Sequence, residues 1–410
     1  MRILREIYEL NKESKYLIFA NFFPSFTYGI FFIDAAYFLT NIRGFSDTFM
    51  GFLYTLMGIF IVIFSIPAGM ISDRYGKRKV LLIGNAILSL SIFIFALTSS
   101  IIILIFSSIF LGIAESMIIS SSGALLAEKT NNEKRALAFS FNGFVSGISF
   151  GLGGFIIPLH LLFENIGINE ILAHELLYII SSLLILFSLI LILKVPESNI
   201  FKKEKGLRNL LPKKSKKIII KYTITNSILA FGAGIFVPLM TRWFYLMYGI
   251  KDTISGPVLG FTNLLIGLSN LLAPFLLWKF GLINSIIFPQ IFSTLFLYIL
   301  PYSPTFLIAS IVYFIRSFLM NMTTPLQQAM ILSLVNEEER GVTSGINSLV
   351  WYLPNSISIG IGAWLLEIGN LSSPFLIATI LYIISILLFW LFFKDIKIHK
   401  GIISIERMIS

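Results

Sequence analysis

The chain has 410 residues, 56% of them hydrophobic and 13% charged, with a mean hydropathy of +0.88 and a formal net charge of +10. Soluble domains carry roughly 45–50% apolar and about 25% charged residues, so an ordinary soluble globule is excluded. There is no cysteine, which excludes disulfides and thiolate metal sites.

The apolar residues fall in runs of about 20 or more, enough for a helix to cross roughly 30 Å of hydrocarbon. The strict alternation of a membrane β-barrel is missing. Turn signals and charges predict twelve helices in chain order, numbered 1 to 12: 16–40, 47–72, 79–98, 101–127, 136–163, 171–194, 218–249, 254–279, 282–302, 304–335, 341–368 and 372–394. The first run is too long for the core of a signal peptide and is expected to be retained as helix 1. The fold class is therefore an all-α polytopic membrane protein with twelve transmembrane helices. The one long polar break, residues 195–217, reads as a basic linker lying against anionic headgroups. It separates a bundle over 1–194 from one over 218–410.

Orientation follows from the cations. Of the 31 Lys and Arg, 27 lie in the termini and loops of one side, two (Arg43 and Lys251) on the other, and Arg242 and Arg316 inside apolar runs. The positive-inside rule places both termini in the cytoplasm of a multi-pass protein of the cell membrane. This asymmetry accounts for the net charge, so no nucleic-acid partner is expected. No GxxxxGK[ST] stretch is present, which argues against ATP hydrolysis. His160, His174 and His399 read as scattered, with no metal-ligand spacing and no His–acid pair at one depth. No metal, cofactor or enzymatic activity is expected.

An internal repeat emerges across the linker. Arg74, Tyr75 and Gly76 align with Lys279, Phe280 and Gly281, and Asn131, Glu133, Arg135 and Asn142 with Asn336, Glu338, Arg340 and Asn347. Both alignments use one offset, 205 residues. Six helices followed by six in the same orientation form a parallel repeat, which places a binding site near the midplane between the halves.

The stretch "GMISDRYGKRK", between helices 2 and 3, resembles the G-x-x-x-D-R-x-G-R-R loop signature of the major facilitator superfamily. The twelve spans, the cytoplasmic termini and the long central loop are similar to that family along nearly the whole chain. The resemblance implies two pseudo-symmetric six-helix bundles, alternating access and a chain that works as a monomer. It also implies a cytoplasmic gate built from Gly69, Asp73, Arg74, Gly76 and Arg78. There Asp73 would meet the start of helix 11, near Gly341 to Thr343 and Arg340, with Arg135 close by. Helix N-termini attract anions. Gly69 is expected to allow close helix approach and Gly76 a tight turn. The second-half copy has Trp278 in place of Asp73, so its latch is missing.

Charges within the membrane cost about 2.5–3.5 kcal/mol on insertion scales. Four stand out: Asp34 in helix 1, Glu115 in helix 4, Arg242 in helix 7 and Arg316 in helix 10. In the resembled family these four helices line the central cavity. The offset puts Glu115 within a turn of Arg316 in depth, and Asp34 within a turn of Arg242. Two roles are open: Glu115 and Asp34 carry protons while the arginines hold them or an anionic substrate group, or both pairs are static locks. Asn321, Gln327, Asn226 and Tyr37 are softer candidates. Asn142 and Asn347 are expected to bond across helices. Trp243, Phe244, Tyr245 and Tyr248 read as an outer interfacial belt. "GISFGLGG", Gly147 to Gly154, is expected to pack closely and resembles the family's antiporter motif without its proline.

The substrate signals diverge. The helix 4 Arg usual in drug exporters is Ser108 here, whereas "GIAES" puts Glu115 where organic-anion members often carry an acid. Many Phe residues suit lipophilic cargo. The sequence points to a proton-coupled secondary transporter of a small organic solute, with efflux and anion uptake evenly matched. The alternatives are a non-transporting receptor or scaffold and a lipid transporter on the same fold.

Overall fold

The computed structural model describes residues 9–131, 134–197, 215–269, 272–336, 340–399 and 402–405. Eleven spans long and apolar enough to cross a membrane occur among them: Lys12–Ile42, Asp47–Tyr75, Lys77–Leu97, Ile101–Lys129, Leu137–Asn165, Glu170–Leu193, Lys216–Tyr248, Leu282–Tyr302, Phe306–Leu334, Leu349–Glu367 and Ser373–Phe393. Helix 8 supplies the twelfth in two pieces, Asp252–Ser269 and Ala273–Phe280. Each expected helix is present in order. A short antiparallel pair, Ile396–His399 with Ile402–Ile405, follows helix 12. The expected linker lies mostly outside the described residues, at 198–214.

Several helices break where the sequence demands it. Pro158 falls in a 3-10 turn, Ile157–Leu159, before helix 5 resumes over His160–Asn165. Pro238 sits in a similar turn, Val237–Leu239, in helix 7. A Pro ring cannot continue an α-helix without losing a backbone hydrogen bond. Helix 1 ends in a π-helical turn, Phe38–Ile42.

The chain clusters into two compact units. One comprises Met1–Lys203 with Met240–Tyr245 and Gly249–Leu264; the other comprises Glu204–Leu239, Leu246–Tyr248 and Leu265–Ser410.

Within the first unit, helix 1 packs against helix 5 so closely that a Cβ on Gly29 would overlap the Phe150 carbonyl oxygen. In the second, a Cβ on Gly234 of helix 7 would overlap the Asn355 carbonyl oxygen of helix 11. Both partners shift by the repeat offset of 205. A second contact repeats in the same way. The Asn21 amide donates to Asn142 at 3.3 Å, and the Asn226 amide to Asn347 at 2.8 Å. Small residues and side-chain amides are the expected glue between membrane helices, because lipid offers no hydrophobic drive for association. The expectation for Asn142 and Asn347 is met.

The expectation for the run Gly147 to Gly154 is met at Gly151, Gly153 and Gly154 but not at Gly147, where a Cβ would meet nothing within 4 Å among the described residues. Gly153 abuts the Phe26 carbonyl, and Gly151 and Gly154 abut Gly260. The expectation for Gly69, half-exposed on helix 2, is not met within its own unit: a Cβ there would meet nothing within 4 Å among the described residues. Large apolar side chains such as Leu90, Ile102 and Leu307 are exposed, as lipid-facing positions must be.

Candidate functional site: buried charges in each unit

Asp34 and Arg242, which share the first unit, do not pair as their depths suggest. Arg242 forms a two-point pair with Asp47, Nε to Oδ1 at 2.6 Å and Nη2 to Oδ2 at 2.9 Å, and also donates to the Asn41 side chain. Asp47 is the first residue of helix 2, where Ser46 caps the helix and an acid meets the positive end of its dipole. Helix 1 reaches Asn41 through its π turn. The expected Asp34–Arg242 pair is thereby corrected.

Asp34 is fully buried and accepts from the Tyr178 hydroxyl at 2.9 Å through Oδ2, while Oδ1 has no hydrogen-bond partner. Phe31, Phe38, Phe95 and Tyr178 form an edge-packed aromatic wall around this stretch of helix 1. Beyond Tyr178 lie groups that the sequence reading set aside. His160, which opens the last segment of helix 5, and His174, in helix 6, stack with ring centroids 3.9 Å apart. Their Nε2 atoms stand 3.2 and 3.1 Å from one carboxylate oxygen of Asp252, the first residue of the Asp252–Ser269 segment. All three side chains are essentially inaccessible. The expectation of scattered histidines with no His–acid pair at one depth is overturned. The helix 5–6 turn folds 14 residues of sequence back so that the two rings meet.

Glu115 is partly exposed as a residue, yet its Oε2 is enclosed and has no hydrogen-bond partner. The Tyr28 hydroxyl lies beside it. In the second unit, Arg316 is 4% exposed. Its Nη2 donates to the Tyr382 hydroxyl at 2.6 Å, and its guanidinium lies 4.9 Å from the Phe236 ring centre and 5.4 Å from that of Tyr382. No described carboxylate of that unit is within ion-pair reach, and Nε is buried without a partner. Asn321 donates to the Ser317 carbonyl of its own helix at 2.9 Å, a local bond that commits its amide. Tyr37 packs edge-on against Tyr245 at 5.3 Å. Of the expected interfacial belt, Trp243 and Phe244 are fully buried and belong to a packed core instead, whereas Tyr245 and Tyr248 are half-buried and Tyr248 donates to the Ser303 carbonyl.

At the turn between helices 2 and 3, Gly76 has φ +106°, which only glycine adopts freely. Arg78 is held by Glu197: its backbone N–H donates to Oε1 at 3.0 Å, and its guanidinium donates to the Val195 carbonyl. Lys77 pairs with Glu128 at 2.8 Å. Asp73 is exposed and has no partner among the described residues, Arg135 included. Arg74 is exposed over the Tyr75 ring. The side chain of Arg340 lies outside the described residues. The acids that engage this turn are therefore Glu197 and Glu128, which the loop signature does not contain.

A further signal escaped the sequence reading. The same offset of 205 relates "DTFMG", from Asp47, to "DTISG", from Asp252. Both acids open a helix, both are buried, and both hold a nitrogen base.

Apolar membrane-spanning helices with an internal repeat, and charges on helices 1, 4, 7 and 10, mark a multi-pass membrane protein. The sequence profile of the Major Facilitator Superfamily matches residues 17–359, and the chain belongs to that family. Multidrug resistance protein 1 of Bacillus subtilis (strain 168) is 25% identical over 84% of this chain and 87% of its own length. Multidrug resistance protein 2 of the same organism is 34% identical over 27% of this chain and 29% of that protein. The quinolone resistance protein NorA of Staphylococcus aureus (strain MRSA252) is 26% identical over 51% and 53%. Apart from the first of these, the matches span about a third to a half of each relative. Solved structures agree on the fold. The nucleoside transporter NupG superposes with a TM-score of 0.74 at 14% identity, over 93% of this chain and 99% of that one. The D-xylose-proton symporter gives 0.71 at 16% identity, over 92% and 97%.

Proposed function

We propose that this protein is a proton-coupled exporter of lipophilic small organic solutes, working as a monomer in the cell membrane with both termini in the cytoplasm. Glu115 is the proton-carrying carboxyl. The observation that carries this reading is the enclosed, unpartnered Oε2 of Glu115, beside a tyrosine and with no ion pair to a described cation of its unit. A carboxyl so placed is stable only when it binds a proton or meets a cationic group, and the two states differ by one charge. The multidrug resistance relatives favour efflux over uptake. The bundles over 1–194 and 218–410 supply the two moving parts, with 195–217 joining them.

The test uses purified protein in proteoliposomes with an imposed pH gradient and a fluorescent lipophilic cation as probe. Glu115→Gln should abolish gradient-driven accumulation while leaving downhill exchange intact. Gradient-driven transport that survives the substitution would overturn the proton role.

A second reading, transport of organic anions, is favoured by Arg316. A guanidinium beside two rings, with no described carboxylate of its unit in ion-pair reach, can receive a planar carboxylate at two points. Organic anions that raise the thermal stability of the native protein but not of Arg316→Gln would favour this reading. Lipophilic cations that stabilise both proteins alike would favour the first.

A further inference from the structure

The hydrogen bonds around the two buried histidines leave an atom count that needs a positive occupant. His174 Nδ1 is 2.8 Å from the Glu170 backbone carbonyl oxygen, which can only accept, so Nδ1 carries a hydrogen. In the neutral ring Nε2 is then a bare lone pair. It points at Asp252 Oδ2, 3.1 Å away. His160 repeats the pattern. Its Nδ1 lies 2.6 Å from Glu164 Oε1, and its Nε2 stands 3.2 Å from the same Asp252 oxygen. That Nε2 is buried and forms no hydrogen bond. Asp34 adds a further donor: its carboxylate reaches within 4.8 Å of the donor atoms of His174 and Asp252, and Oδ1 is buried and unpartnered.

We propose that His174 Nε2, Asp252 and Asp34 form a binding site for a divalent transition-metal ion of the Zn²⁺ class, with His160 stacked on His174 and turned to the same Asp252 oxygen. Three features carry the assignment. The first is distance. Donors bonded at about 2.0–2.1 Å to a tetrahedral ion lie about 3.3 Å apart, and His174 Nε2 is 3.1 Å from Asp252 Oδ2. The second is orientation. Metal-bound histidines donate the other ring N–H to a carbonyl or carboxylate, which fixes the ring and its tautomer. The Glu170 carbonyl fills that place for His174. The third is charge. Two ionised aspartates without accessible surface call for positive charge beside them. A divalent ion supplies two charges on one atom and removes the repulsion that two stacked imidazolium rings would suffer. One imidazole and two carboxylates, with a position left for water, suit Zn²⁺, Co²⁺ or Ni²⁺, and the absence of sulfur ligands disfavours Cu⁺. Binding would tie together helices 1 and 6 and the first turn of helix 8.

The experiment titrates the purified full-length chain, freed of any affinity tag, with Co²⁺ and follows the visible absorption of the ion. The expected result is one ion per chain with the intense band of a tetrahedral site, displaced by Zn²⁺. His174→Gln and Asp252→Asn should each weaken the affinity at least tenfold, and Glu164→Gln less. His399→Ala should leave it unchanged. Zn²⁺ should raise the melting temperature of wild type, a readout that stands even if a variant fails to fold. The proposal is overturned if no tetrahedral band appears and Zn²⁺ gives no stabilisation, which would mean that the cluster holds protons alone. It is also overturned if Co²⁺ binds with equal affinity to folded His174→Gln. Neither result bears on proton coupling at Glu115.

Discussion

The pairing of Arg242 with Asp47 invites a double-mutant cycle. The two side chains are 14% and 5% exposed and meet at 2.6 and 2.9 Å. With charge centres about 4 Å apart and an effective dielectric of about 20, the attraction is roughly 4 kcal/mol. Removing one partner of a buried pair costs about 3–5 kcal/mol, because the other charge is left desolvated and unmatched. Asp47→Asn also gives up about 0.3–1 kcal/mol of favourable contact with the helix 2 dipole. The single variants Asp47→Asn and Arg242→Gln should therefore each lose several kcal/mol. The double variant should be more stable than their sum by about 2–3 kcal/mol, and it should be no worse than Arg242→Gln alone by more than the dipole contribution. The assay is denaturant unfolding of the purified proteins in detergent, followed by tryptophan fluorescence. Trp243 lies buried next to Arg242 and reports locally. Asp34→Asn serves as the comparison, since Asp34 bonds to Tyr178 and not to Arg242. A coupling below about 0.5 kcal/mol between Asp47 and Arg242, or a larger one between Asp34 and Arg242, would refute the assignment.

Three further outcomes follow from contacts already described. Gly29→Ala should cost about 1–3 kcal/mol by forcing helices 1 and 5 apart. Gly69→Ala should be neutral or stabilising by up to about 1 kcal/mol, since it adds helix propensity in open space. Comparing melting temperatures of the two variants checks both. Gly76→Ala should destabilise the protein, because a Cβ at φ +106° is strained and would sit 2.7 Å from the Glu197 carboxyl. Trimming that side chain with Glu197→Ala should relieve the clash but not the strain, so the double variant recovers only part of the loss. Replacing Asn226 with Leu leaves Asn347 without its bond and should cost about 1–3 kcal/mol. The matching Asn21→Leu variant, which breaks the longer bond to Asn142, should cost less.

The helices were legible because each is a run of apolar residues ended by charges or by proline, and lipid permits no other spanning element for such runs. The repeat was legible at its loops, through Asn131/Asn336 and Arg135/Arg340, because one offset served both. The partners of the charges were not. Depth along a helix follows from residue number at about 1.5 Å per residue, but the direction a side chain faces depends on local breaks. The π turn at Phe38–Ile42 carries Asn41 to Arg242, and the 3-10 turn at Pro158 precedes His160. Neither rotation can be read from hydropathy. Gly69 was misjudged for a related reason. Composition says that small residues sit at helix contacts, yet only the packed structure tells which face of helix 2 meets a neighbour.

The repeat separates the contacts that hold the fold from the ionisable groups within the spans. The contacts of Gly29 with Phe150 and of Asn21 with Asn142 recur at an offset of 205 in the second unit. These are backbone approaches and neutral amides, which serve any pair of helices equally well. The charged and imidazole groups within the spans do not recur. The positions matching Asp34, Glu115, His160 and His174 hold Leu239, Met320, Leu365 and Thr379. Asp47 and Asp252 are the exception, and they show how one position acquires two uses. Each sits at the first turn of its helix, where the backbone N–H groups favour an acid whatever else is nearby. The helix end thus keeps the carboxylate, and the surroundings choose its partner: a guanidinium from helix 7 for Asp47, two imidazoles from helices 5 and 6 for Asp252. The first arrangement is a fixed ion pair, because guanidinium does not lose its proton. The second can exchange what lies between its donors. Any ion- or proton-dependent behaviour of this cluster should therefore survive Asp47→Asn in a protein that still folds, and vanish in Asp252→Asn.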